Sequence, residues 1–471
     1  MTSLAIISLF VVTILAIEAK IILRHLGPPP DDAPNRKATR APVWQTISQR
    51  VDHFNPRDTR IWAMRYISND QFFEAGGPIF IYLGGEWQIS TSSLTTGQIF
   101  DIAEQHKGYM FYTEHRYYGY SYPTVNMSTE NLKYLSLDQA IADVAYFIQY
   151  VKANIEGLAN SKVVVIGGSY SASMATWIRF KYPHLVNVGY ASSAPVRAVA
   201  DFYEYYEVTD HNIGLVSQQC LDTIAEGISQ LEVRLEAEGG ITEMSERLYT
   251  CTTIQNIEPF RSFLFNIAIA EIFAGLVQYA GPTSIQDDCD QLLGYSGDSL
   301  DKLIEYIRAY YGNDCIDDYD EFISQYSAVE NTNDAWRPWL YQTCTEYGYY
   351  QTTTSNYQPF GDTFALDFFV NMCTDLFGQD FGNQILDTGI IRTNIFYGSL
   401  TPEITKVVSV HGTVDPWHAL GILEDLNPLA PAILINGTSH CADLSSIRDT
   451  DPPQLAAAKR RVQELVAEWL A

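Results

Sequence analysis

Between Val163 and Trp177 the chain reads VVVIGGSYSASMATW. A β-branched run gives way to two glycines, a serine and then a stretch of helical character, so a strand, a sharp turn and a helix follow one another directly. A serine held on such a turn stands clear of its strand, and the helix N-terminus points at any negative charge that develops beside it. Gly167 and Gly168 precede Ser169, while Ser171 and Ala172 stand where elbows of this kind carry further glycines. Both are small, so the helix can still pass close to the strand; it runs to Phe180 and stops before Pro183. Taken alone, Gly-Gly-Ser-Tyr-Ser fits a structural turn as well as it fits a nucleophile.

The rest of the chain decides between the two. Short β-branched or aromatic runs predict strands over Ile61–Ser68, Pro78–Gly85, Tyr109–Arg116 and Lys162–Ser169. Between the last two lies a helix with a capping box, Ser136 with Gln139, and an apolar stripe of Leu137, Ile141, Val144, Ile148 and Val151. Strand, helix, strand in that order implies a parallel sheet covered on both faces. From Asp201 to Thr401 the chain becomes acidic and Tyr-rich, with helical patterns such as Leu300–Tyr311 and no clear run of buried strands. Strands resume at Lys406–Gly412 and Ala432–Asn436, and a last amphipathic helix opens on Pro452 and Pro453. The reading is one α/β domain, residues 45–200 and 402–471, interrupted by a mainly helical insert, residues 201–401.

In an α/β-hydrolase the acid follows a late strand and the base follows the next, in the order Ser, Asp, His. Asp415 follows Lys406–Gly412 through a short loop, and His440 follows the next strand. Three roles at three strand ends in the required order make Ser169, Asp415 and His440 the expected triad. His418 is expected to pack on the helix after the acid, His411 to shape the acid loop, and His53 and His115 to be structural or pocket-lining. Asp443 is too near His440 in sequence to orient it. The oxyanion donors are expected to be the Tyr170 N–H and one from the turn LGGEW, Gly85 or Glu86.

With 29 Lys+Arg against 56 Asp+Glu, the net charge of −27 repels nucleic acid and anionic lipid. The apolar run Leu4–Ile17, followed by small residues, reads as a secretory signal peptide over residues 1–19, too short for an anchor. No second apolar run of that length is evident, so no membrane partner is expected after cleavage. Residues 20–44 are Pro-rich and read as a flexible leader or propeptide. Six of the seven cysteines (Cys220, Cys251, Cys289, Cys315, Cys344 and Cys373) fall within the insert, where an oxidising compartment allows three disulfides; Cys441 is left over. None has the close spacing of a zinc knuckle, so no metal and no cofactor is expected. Asn126 and Asn436 head glycosylation sequons.

Taken together, QRVDHFNP (Gln49–Pro56), LGGEW, EHRYYGYSYP (Glu114–Pro123), GGSYSASMATW, KYPHLVNVGYASSAPVRA (Lys181–Ala198), DPWHALG (Asp415–Gly421) and GTSHCADL (Gly437–Leu444) resemble the lysosomal serine peptidase family that holds prolylcarboxypeptidase and dipeptidyl-peptidase II, nearest its thymus-specific branch. The resemblance implies an α/β-hydrolase fold with a large, helical, disulfide-stapled cap inserted after the fifth or sixth core strand. It implies an exopeptidase acting beside proline on short peptides in the secretory pathway, lysosomal or extracellular, and at acid pH. The family's nucleophile, acid and base fall on Ser169, Asp415 and His440. Ala172 and His411 depart from the pattern without removing a catalytic group. Direction of attack is open, with dipeptidyl-peptidase slightly favoured over prolyl carboxypeptidase on charge, and Trp417 is expected to line an apolar slot for proline. An esterase or lipase on the same fold and a silent peptide-binding protein are the competing readings, and a homodimer is compatible with all three.

Overall fold

The computed structural model describes residues 38–471; the signal-peptide reading and most of the leader fall outside them. The main sheet has eight strands in the order β1-β2-β4-β3-β5-β6-β9-β10. In chain order these are β1 (Val43–Arg50), β2 (Ile61–Asn69), β3 (Ile79–Leu83), β4 (Tyr109–Thr113), β5 (Val163–Gly168), β6 (Val188–Ser192), β9 (Val407–Gly412) and β10 (Ala432–Ile435). The pairs β1–β2 and β2–β4 are antiparallel and the other neighbours parallel. That order and sense are those of an α/β-hydrolase, the expected fold.

Residues alternate between two buried faces along each central strand. Ile79, Ile81, Val163 and Val165 pack with Ile141, Val144, Ile148 and Ile178 from the helices Leu137–Asn154 and Tyr170–Lys181. Phe80, Tyr82, Val164 and Ile166 pack with Phe100, Ala103, Val462 and Val466 from Gly97–His106 and Pro453–Leu470. Burial on both faces removes the polar half of the strand pattern, which is why these strands read as continuous apolar runs. Only half of the expected capping box forms: Ser136 accepts a hydrogen bond from the Gln139 N–H, while the Gln139 side chain donates to Asp52 and accepts from the His53 N–H instead of reaching back to the cap.

β1 was not foreseen as a strand. It lies at the sheet edge with Val43 and Trp44 exposed and only Ile47 and Gln49 buried, so it carries almost no apolar alternation. Val43 and Trp44 therefore belong to the sheet rather than to the leader, and just ahead of them the Thr39 and Arg40 N–H groups donate to the Gln71 side chain.

Above the carboxyl ends of the parallel strands sits the insert, whose helices run from Glu204 to Tyr397. Two short strands, β7 (Val199–Asp201) and β8 (Gly348–Tyr350), pair in parallel across its base. Disulfides join Cys220 to Cys289, Cys251 to Cys315 and Cys344 to Cys373, all within the insert, and Cys441 is free and buried. Phe260–Gln278 is, among the described residues, the one helical run long and apolar enough to cross a membrane, contrary to the expectation of no second such run. It is 78% buried and forms the core of the cap. It contains a π-turn, Asn266–Ala270, and a second π-turn spans Thr343–Tyr347.

Candidate active site

β5 delivers Ser169 into a left-handed backbone conformation, φ 59° and ψ −133°, immediately before the helix Tyr170–Lys181. Such a conformation costs a non-glycine residue on the order of 1–3 kcal/mol and persists only where the surroundings impose it. Here the Ser169 N–H donates to Ser192 O at 2.9 Å. A Cβ on Gly167 would lie 2.2 Å from Ser171 O, so glycine is obligatory there. Ser171, in the place of a further glycine, turns its hydroxyl back to Gly168 O at 2.9 Å.

The acid and base loops are stitched to this elbow through successive strand ends. Ser193 N–H donates to Val410 O at 2.7 Å, Thr413 N–H to Ile435 O at 3.0 Å and Val414 N–H to Thr438 O at 3.0 Å. Asp415 is fully buried, caps the short helix Pro416–Leu420 through the Trp417 N–H at 3.0 Å, and places Oδ2 2.9 Å from His440 Nδ1. His440 is buried, and its Nε2 has no partner within the protein. Burial opposes charge on both groups, but each outweighs that cost for the other. Asp415 is held below the usual carboxylate range, with the Ser193 hydroxyl helping, and His440 is held well above the usual imidazole range, with the Cys441 thiol helping.

The remaining histidines separate clearly. His418 Nδ1 contacts the Asp415 carbonyl at 2.6 Å, His53 Nε2 meets Asp143 at 2.7 Å, and His411 packs its ring against Gly421. Burial drives His411 and His115 down to about 4, so both are neutral. Asp443 faces away from His440, accepting from Ser192 Oγ and Tyr190 OH, each at 2.6 Å.

Ser169, Tyr170, Glu86 and Trp417 open on one cavity beneath the cap. The cap contributes Trp336, Trp339, Tyr349, Tyr350, Phe369 and Met372, with Asn266 and Thr343 from the two π-turns and Glu271 and Gln278 beside them. π-Turns recur at functional sites, and each of these turns a polar side chain toward the cavity. No Lys, Arg or His lines it among the described residues. The cap also holds His440: Gln278 O accepts the His440 N–H at 3.1 Å, and Gln278 Oε1 accepts from Trp417 Nε1 at 2.9 Å and Tyr205 OH at 2.7 Å. Tyr170 OH ties the elbow to the cap, meeting His115 Nε2 at 3.1 Å, Gln342 Nε2 at 2.9 Å and Tyr347 OH at 3.2 Å.

Among the expected oxyanion donors, the Tyr170 N–H lies in the first turn of its helix, where amides have no intrahelical partner. On the facing turn, a Cβ at Gly84 would lie 2.4 Å from Thr113 O, and one at Gly85 would strike the Trp87 ring at 2.6 Å. The Glu86 N–H is turned toward its own carboxyl group, which favours Gly85 as the expected donor on this turn. Away from the cavity, Asn436 is exposed on the loop before His440, and Asn126 is half-buried with Oδ1 accepting from Ser128 N–H and Asn131 Nδ2.

Sequence reasoning missed Gln278, Glu271 and Asn266. All three lie on an apolar helix whose pattern signals only core packing, and nothing in the sequence reveals the π-turn that turns Asn266 inward.

The sequence profile described as serine carboxypeptidase S28 matches residues 49–462. A putative serine protease of Caenorhabditis elegans is 34% identical, covering 91% of this chain and 88% of its own. The thymus-specific serine protease of Mus musculus is 32% identical, covering 90% and 87%. The lysosomal Pro-X carboxypeptidase of Homo sapiens is 26% identical, covering 90% and 87%. Among solved structures, a proline iminopeptidase from Mycobacterium smegmatis aligns with 10% identity and a TM-score of 0.34, covering 90% of this chain and 97% of that one.

Proposed function

We propose that this chain, which belongs to the serine carboxypeptidase S28 family and is a serine peptidase, hydrolyses short peptides from one end beside proline through Ser169, His440 and Asp415. The observation that carries the reading is the buried contact of 2.9 Å between His440 and Asp415, at strand ends stitched to the strained elbow of Ser169.

Ser169 Oγ attacks the scissile carbonyl carbon while His440 Nε2 takes its proton. The oxyanion is met by the N–H groups of Tyr170 and Gly85. As the C–N bond breaks, His440 returns the proton to the leaving amine, and an acyl-enzyme remains on Ser169. Water then attacks the acyl carbon with His440 again as base, and the freed acid leaves. Asp415 holds the imidazole orientation and stabilises its charged form throughout.

An aromatic cavity under a cap suits proline and limits substrates to short peptides with a free end. Two carboxyl groups and no cationic side chain in its lining favour a substrate ammonium over a substrate carboxylate, which supports dipeptidyl-peptidase action. The second reading, release of a C-terminal residue after proline, draws on the Pro-X carboxypeptidase relatives. Those lysosomal relatives also support a secretory route ending in an acidic compartment.

Fluorophosphonate labelling of wild type and Ser169→Ala tests the nucleophile. Proline peptides blocked at one end or the other test direction. Labelling that survives in Ser169→Ala sinks the mechanism, and cleavage restricted to N-blocked peptides reverses the direction.

A further inference from the structure

Glu86 is a carboxyl group with an unusual surrounding for a site that handles peptides. It is only 3% exposed, lines the cavity with Ser169 and Tyr170, and its Oε2 has no partner. One oxygen is engaged by its own backbone N–H; the other has nothing. A buried carboxyl oxygen left unpaired forfeits the hydrogen bonds it made to water. The second carboxyl in the lining differs, because Glu271 accepts the Tyr206 hydroxyl at 3.3 Å.

We propose that Glu86 is the anchor for the α-ammonium group of the substrate, its unpaired oxygen accepting hydrogen bonds from the substrate N-terminus while the peptide bond after the second residue reaches Ser169. This rests on the dipeptidyl-peptidase direction proposed above and adds the residue that enforces it. An ammonium offers three donors, and the cavity lining supplies no rival cation. The protein charge of −27 favours approach of a cation as well.

Burial holds Glu86 up at about 8, so without substrate it is a neutral acid at and below neutral pH. The titratable groups that face it are His440, whose charged imidazole pulls Glu86 down without overcoming its burial, and the hydroxyls of Tyr118, Tyr170 and Tyr279. Binding of an ammonium replaces the carboxyl proton, which leaves to solvent: the O–H bond of Glu86 breaks as the ion pair with the substrate nitrogen forms.

The test uses three reporter peptides: free-amine Ala-Pro, N-acetyl-Ala-Pro, and N-acetyl-Lys-Pro, whose side chain offers the same ammonium from another position. The ratio of kcat/KM for free over acetylated Ala-Pro is expected to fall at least tenfold in Glu86→Gln, mostly through KM. A smaller fall overturns the proposal, as does a variant whose loss is confined to the lysine peptide. Because folding of the variant is not assured, wild type supplies an independent measurement. Calorimetry of alanyl-pyrrolidide binding at pH 6, in two buffers of different ionisation enthalpy, is expected to show about one proton released. The N-acetylated analogue is expected to release none; equal proton release by the two overturns the anchor. Failure of the direction reading is separately visible, because wild type would then cleave only N-blocked peptides, whatever Glu86→Gln does.

Discussion

Nδ1 of His440 lies 2.9 Å from Oδ2 of Asp415, and both side chains are shut off from solvent. In the proposed mechanism the carboxylate fixes which imidazole nitrogen carries the proton and leaves Nε2 as the base. Asp415→Asn is therefore expected to lower kcat by about 10⁴ with KM little changed. The pH at which activity rises is expected to move down, since the charge that holds His440 above its usual range is gone. A pH–rate profile of the variant checks both; a fall of less than tenfold would assign the orienting role elsewhere.

Stability is expected to decline from acid to neutral pH. Burial raises Glu346 from 4.5 to about 7 and Glu86 from 4.5 to about 8. Between those values the unfolded chain releases a proton that the native state retains, so the stabilisation is complete below 4.5 and lost as pH rises toward 7–8. Glu346→Gln is expected to remove about 3 kcal/mol of this slope. Thermal melts at pH 5 and pH 8 measure it, and parallel melting curves for wild type and variant would contradict it.

Gly412→Ala is expected to disrupt the acid and base loops together. A Cβ there would lie 2.1 Å from Thr438 O and 2.7 Å from both Thr438 C and its Oγ1, and the carbonyl is backbone that cannot swing away. The expected cost is about 3 kcal/mol, the upper end for overpacking. A lower melting temperature together with lost fluorophosphonate labelling is the signature; full labelling at wild-type rate would show that the loops can part.

Removing the Cys344–Cys373 disulfide is expected to loosen one wall of the cavity. It closes a loop with a sequence separation of 29. The chain-entropy estimate for such a loop is about 3–4 kcal/mol. Thr343, Tyr350 and Met372 lie beside its ends and line the cavity. The double alanine variant is expected to raise KM more than it lowers kcat, read by steady-state kinetics, with a lower melting temperature alongside.

Much of the frame that holds the proposed triad was legible because Ser169, Asp415 and His440 follow strand ends in sequence order. The runs before Ser169, Asp415 and His440 are buried on both faces or bounded by tight turns, and both leave strong local signals. The edge strand β1 left none, since only Ile47 and Gln49 of its central residues are buried. The cavity wall was legible only as a surplus of aromatic residues. Which of them face the substrate depends on two π-turns, each a single-residue slip in helical register, and propensity and periodicity do not report such slips. Glu86 was legible as a turn residue but not as an unpaired acid, because its isolation is a property of the cap that closes over it.

The cap also sets a clock. Ser169 is made before the insert, whereas Asp415 and His440 come after it, roughly 250 residues later, or about 10–50 s of ribosomal elongation. Throughout that interval the nascent chain holds the proposed nucleophile without its proposed base. By the time a base exists, the roof that restricts entry has already been synthesised, so an unguarded protease is never present on the ribosome.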